Sequence, residues 1–167
     1  TKNYINSMSG FTLVEVLVAI MLTGLAFMIF LQALNTGKMV RVKSELRTRQ
    51  SVILNSIEHQ VRATKFDEQD SAPWTSVEEL GKESGETSIS QFDDIDDFHE
   101  YTVNSLDEYP GFGYNISVFY SSPPSSNEDK KIFELSSGQT NYKSVAISVV
   151  HATLPSLNDT LIITPKW

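Results

Sequence analysis

Three patterns of apolar positions follow one another along the chain. From Phe11 to Leu34 nearly every position is apolar, and the only charge is Glu15. A run of that length suffices for a helix to cross a hydrocarbon core with some tilt. From Lys38 the period stays helical but the apolar face narrows. Val42, Leu46, Ile53, Ile57 and Val61 recur at spacings of four, seven, four and four, a single stripe suited to packing on a sheet. These two patterns predict one long helix from Phe11 to about Thr64. Residues 67–100 are acid-rich and punctuated by Gly81, Ser84, Gly85 and Ser88, the pattern of a loop. Within it a short helix is expected at Ser76–Leu80, capped by Ser76 with Glu79 three residues on.

Beyond residue 100 the period drops to two. Tyr114, Ile116, Val118 and Tyr120 share one face, with Asn115, Ser117 and Phe119 on the other. A Ser/Pro loop at Ser121–Asp129 leads to a short strand from Lys131 to Leu135. Val145, Ile147 and Val149 continue the alternation, and Thr160–Thr164 follows a turn at Pro155–Asp159. The fold class is therefore α+β: a long N-terminal helix, its first half membrane-spanning, packed as a spine on a C-terminal antiparallel sheet. The organisation expected is a polar segment at 1–10, the spanning half of the helix at 11–37 and its water-facing half at 38–66. An acidic loop at 67–100 and a sheet at 101–167 complete it.

Charge sharpens this division. Residues 1–65 carry a net +5 and residues 66–167 a net −13, within a total of −8. A basic stalk thus precedes an acidic head. Such a head is a poor ligand for nucleic acid, where Lys and Arg supply the affinity by neutralising phosphates, so no nucleic-acid partner is expected. With no cysteine, neither a disulfide nor a thiolate metal site exists. His59, His99 and His151 lack metal-ligand spacing, and neither a nucleophile elbow nor a phosphate loop is present. The chain reads as non-enzymatic.

One carboxylate inside an oily run needs a reason. An acid at the centre of a spanning helix costs roughly 2.5–3.5 kcal/mol on insertion scales. The sequence Gly10-Phe11-Thr12-Leu13-Val14-Glu15, at the start of the apolar run, resembles the processing site of type IV pilins and pseudopilins. The resemblance implies cleavage by a prepilin peptidase between Gly10 and Phe11, methylation of the new Phe11 amine, and a role for Glu15 in assembly. The apolar run lies after the cut and is kept. Cleavage would place a positive amine one turn from Glu15, since positions i and i+4 share a helix face. A buried pair of opposite charges sets register, because a mismatch strands both at a cost of several kcal/mol.

The same resemblance implies partners: other pilin subunits packed through helix 11–37, the peptidase, and an inner-membrane assembly platform. It implies an N-terminus in the cytoplasm and a head in the periplasm, later at the cell surface. The basic flank after the span points the other way under the positive-inside rule. The sequence departs from many pilins in lacking both a C-terminal disulfide loop and a proline at position 32, which is Gln32. Local unwinding near Thr23 and Gly24 is the remaining opportunity for flexibility in the span.

Gln91–Glu100 places Asp93, Asp94, Asp96 and Asp97 within five positions, flanked by Phe92 and Phe98. Oxygen-rich clusters suit calcium, which takes six to eight oxygen ligands, and these four aspartates are the candidate ligands. An acidic surface loop pinned by Phe92, Ile95 and Phe98 explains the same residues without metal. Phe92–His99 and Tyr142–Val150 also resemble the minor pilins of the mannose-sensitive haemagglutinin pilus system. The expectation is a minor type IV pilus subunit serving initiation or adhesion. A type II secretion pseudopilin and a membrane-anchored periplasmic binding module are the alternatives.

Overall fold

The computed structural model describes residues 10–124 and 132–165. Apart from Gly10, the segment 1–10 lies outside them, as does 125–131 of the expected Ser/Pro loop and following strand. The chain divides into two compact units, Thr1–Ser44 and Glu45–Trp167. Helix α1, Leu13–Ala63, contributes to both.

In the first unit every described side chain is exposed. By length and composition this part of α1 can cross a membrane. A helix apolar on all sides and buried on none awaits lipid or neighbouring helices. It runs unbroken through Thr23 and Gly24, and Thr23 Oγ1 donates to the Ala19 carbonyl at 2.7 Å. That bond satisfies the hydroxyl within the helix.

In the second unit α1 buries Gln50, Ile53, Leu54, Ile57 and Val61. The sheet is antiparallel and five-stranded: β1 (Tyr101–Val103), β2 (Phe112–Ser122), β3 (Glu134–Leu135), β4 (Lys143–His151) and β5 (Leu154–Ile163). Its order is β1-β2-β4-β5, and β3 pairs with the end of β2. The α+β layout predicted from the periods is the one observed. Period-two alternation puts Tyr114, Ile116, Val118, Tyr120, Val145, Ile147 and Val149 into one core with the buried apolar residues of α1.

Several details differ from the sequence expectation. Val42 is 56% exposed, and the buried stripe instead includes Gln50 and Leu54. Gln50 is polar in an apolar stripe and buried all the same. Its Nε2 donates to the carbonyls of Val149 (2.7 Å) and Pro155 (3.2 Å), and its Oε1 accepts from Arg47 Nη1. Those carbonyls flank the irregular register between Val149 and His151, so Gln50 ties α1 to β4 and β5 where the ladder is interrupted. Pro155–Asp159 is strand, not turn: β5 starts at Leu154 and lies at the sheet edge, where a proline is tolerated. The described part of the Lys131–Leu135 strand is only Glu134–Leu135. The short helix is a single 3-10 turn, Val77–Glu79, whose Ser76 hydroxyl bonds the Glu79 carboxylate (2.8 Å) rather than a backbone N–H.

Gly113 in β2 is fixed by proximity. A Cβ there would fall 2.6 Å from the Val103 carbonyl oxygen and 2.8 Å from that of Asn104, both backbone atoms. Gly113→Ala is expected to cost about 1–3 kcal/mol by forcing β1 away from β2. Urea unfolding of the detergent-solubilised chain measures it.

Candidate functional site

The acidic run folds into a turn against the sheet. Residues Asp96–Phe98 form one 3-10 turn, anchored by Phe92, Ile95 and Phe98 in the core. Phe92 meets Phe98 edge-on at 5.1 Å and Tyr101 at 5.0 Å. The turn is also tied to the end of α1, where the Lys65 N–H donates to the Asp93 carbonyl at 3.1 Å.

That geometry sorts the four aspartates instead of converging them. Asp93 stays exposed beside Glu68 and Glu83. The buried Asp97 lies with Glu83 and Glu86 on one side, and its Oδ2 accepts from the N–H groups of Asp93 and Asp94. Asp94 and Asp96 gather with Asp67. Asp94 Oδ1 accepts from the N–H of Asp96 at 2.7 Å. Consecutive positions of a tight turn point in different directions, so spacing along the chain does not become a single ligand shell.

The cation at the third group is Lys143, from β4. It shares the inward face with Val145, Ile147 and Val149, and its side chain is 0% exposed. Its Nζ donates to the Phe66 carbonyl (2.7 Å), to Asp67 Oδ2 (2.9 Å) and to Asp96 Oδ1. The rings of Phe66 and Tyr120 flank it at 4.6 and 5.4 Å. Asp67 also accepts from the N–H groups of Gln69 and Thr75. Burial alone would raise the Asp67 carboxyl, but Lys143 and these donors together hold it below its usual value. Burial and then the charges of Asp96 and Asp97 push Asp94 up to about 7. Burial likewise raises Asp96, against the pull of Lys143. Asp97 rises to about 6 through burial and its approach to Glu86. The sequence pattern singles out neither Asp67 nor Lys143. The only signal was a lysine in phase with an apolar strand face, which alternation alone reads as an edge of the pattern.

At the other end of the chain, Gly10 and Phe11 precede α1 and are exposed, Phe11 at 85%. Glu15 lies in the first turn of the helix. Its Oε2 accepts from the Thr12 N–H (2.9 Å) and the Thr12 hydroxyl (3.0 Å), while the Glu15 N–H donates to Thr12 Oγ1 at 3.3 Å. The arrangement is a reciprocal cap, legible in hindsight as Thr-x-x-Glu at the head of an apolar run. Phe11, Glu15, Ala19, Gly24 and Phe27 line one open apolar groove along this helix.

The chain carries an N-terminal methylation motif of the type IV pilin kind. Residues 5–31 match the family model described as the prokaryotic N-terminal methylation motif. The matched span takes in Gly10, Phe11, Thr12 and Glu15 and ends inside α1; the acidic turn and the sheet lie beyond it. No curated protein and no solved structure matches the chain. The methylation motif implies processing by a prepilin peptidase and assembly with other pilins.

Proposed function

We propose that this chain is a minor subunit of a type IV pilus. It is cut between Gly10 and Phe11, methylated on Phe11, and drawn into a surface filament through helix residues 11–37, where it serves initiation or adhesion. The observation that carries this reading is the methylation motif laid on a helix whose only charge between Phe11 and Gly37 is Glu15. A lone carboxylate among exposed apolar side chains is costly in lipid unless a partner charge meets it, and a neighbouring subunit's Phe11 amine supplies one. The partners are other pilin subunits, the peptidase and the inner-membrane platform. The head faces the periplasm before assembly.

The long irregular segment between α1 and β1 and the acidity of the head favour a minor over a repeating subunit. The role is structural, not catalytic. His99 Nδ1 accepts from the Val118 N–H, and His151 Nδ1 accepts from the N–H of Thr153, so both rings are engaged with the backbone of the head.

Intact-mass and N-terminal analysis of the protein from native membrane and from sheared filaments tests the proposal. A chain beginning at N-methylated Phe11 in the sheared fraction is expected. The same processed chain confined to membrane and periplasm would replace the pilus reading with that of a secretion pseudopilin. An uncut chain retaining Gly10 would overturn both.

A further inference from the structure

The buried centre between the acidic turn and the sheet brings together Asp67, Asp94 and Asp96 around one ammonium, that of Lys143. An acidic run of this kind suggests calcium, and the test of that idea is what already surrounds the centre. Lys143 Nζ has three oxygen partners, the Phe66 carbonyl and one oxygen each of Asp67 and Asp96. Two aromatic faces, Phe66 and Tyr120, occupy other directions around it. Calcium takes six to eight oxygens and gains nothing comparable from flanking hydrocarbon rings, whereas an ammonium with three donors is suited to three acceptors and a π face. A divalent ion beside the fully buried Nζ would also meet a like charge in a medium that screens poorly. The residues of this centre do not fit a divalent metal.

We propose that Lys143 is the built-in cation of this centre, so that the acidic turn is latched to β4 without calcium. The lysine reaches from the sheet to two separate stretches of the 64–100 segment, at Phe66–Asp67 and at Asp96, which lie 29 positions apart in sequence. One side chain thereby closes a long loop onto the core. Asp96 Oδ2 is buried with no hydrogen-bond partner among the described residues, so the lysine leaves one acceptor of the centre unsatisfied.

The experiment is thermal unfolding of the full detergent-solubilised chain in chelator and in millimolar calcium, for the native protein and for Lys143→Ala. The native midpoint is expected to stay within about 1 °C between the two conditions. A rise of about 5 °C or more in calcium, the response of a specifically bound ion well above its dissociation constant, would overturn the proposal. Lys143→Ala removes the ammonium and opens space among the three oxygens. Its midpoint is expected to fall in chelator and to be raised by calcium, which can enter with water once the lysine is gone. A Lys143→Ala midpoint equal to that of the native protein in chelator would equally sink the idea. Should that variant not fold, the native comparison decides the matter alone.

Discussion

Glu15→Gln is expected to leave the chain cleaved, methylated and in the membrane, yet to lower its recovery in sheared filaments by about tenfold or more. The substitution separates two jobs that one carboxylate performs. Glu15 caps its own helix through the Thr12 N–H and hydroxyl. Glutamine keeps that cap, because its carbonyl oxygen accepts the same bonds and Gln is a normal partner in the motif. What glutamine loses is the negative charge that, in the proposed assembly, meets a neighbour's amine. An uncompensated amine in a low-dielectric helix bundle costs several kcal/mol, and each 1.4 kcal/mol is a factor of ten in incorporation. Glu15→Asp keeps the charge but stops one methylene short, so it should fall between. Glu15→Ala loses both cap and charge and should be the worst of the three. Immunoblots of sheared and cell-bound fractions, normalised to total processed protein, read the series. Normal incorporation of Glu15→Gln would show that capping, not charge, is what the position supplies.

Within one chain the Glu15 carboxylate is already engaged by Thr12, the residue next to Phe11. Both bonds use one carboxylate oxygen, so the cap does not by itself choose between an amine of the same chain and one of a staggered neighbour.

Legibility followed the reach of each interaction. The helix, the strand faces and the methylation motif depend on residues near one another in sequence, and all three could be read there. Gly10, Phe11 and Glu15 are named by a six-residue pattern. Gln50 and Lys143 could not be, because each is a polar residue on an apolar face whose partners lie far along the chain. Periodicity marks such a position as a defect in the stripe. Only the fold shows that the defect is satisfied, by the Val149 carbonyl in one case and by Asp67 and Asp96 in the other. The aspartate run was conspicuous for the opposite reason. Local density of one residue type invites a single site, but the 3-10 turn at Asp96–Phe98 distributes those side chains among three neighbourhoods.

The other large effect is expected at Lys143. Lys143→Met keeps the length and packing of the stem but removes the ammonium, leaving Asp67 and Asp96 buried without their shared cation. Breaking a buried pair on one side costs about 3–5 kcal/mol. Against a total stability of about 5–15 kcal/mol that is a large fraction, and the midpoint should fall by about 10 °C or more. The deficit should also depend on pH. In the native protein Asp94 titrates at about 7, well above its unfolded value of 3.8. The folded chain therefore holds a proton between about pH 4 and 7 that the unfolded chain has released. This contribution favours folding at the acid end and is lost as pH rises through 7. Asp67 has the opposite sign: its carboxyl is lowered in the fold, so its contribution is present above its unfolded pKa and lost on acidification. Removing Lys143 takes away the main charge that keeps Asp67 and Asp96 ionised, so both would join Asp94 in favouring the protonated fold. Lys143→Met should then lie furthest below the native protein above pH 7 and approach it near pH 4. Denaturation of both proteins across that range reads the difference directly. A deficit that stays constant with pH would mean that lost packing, not an uncovered charge, is what the methionine costs.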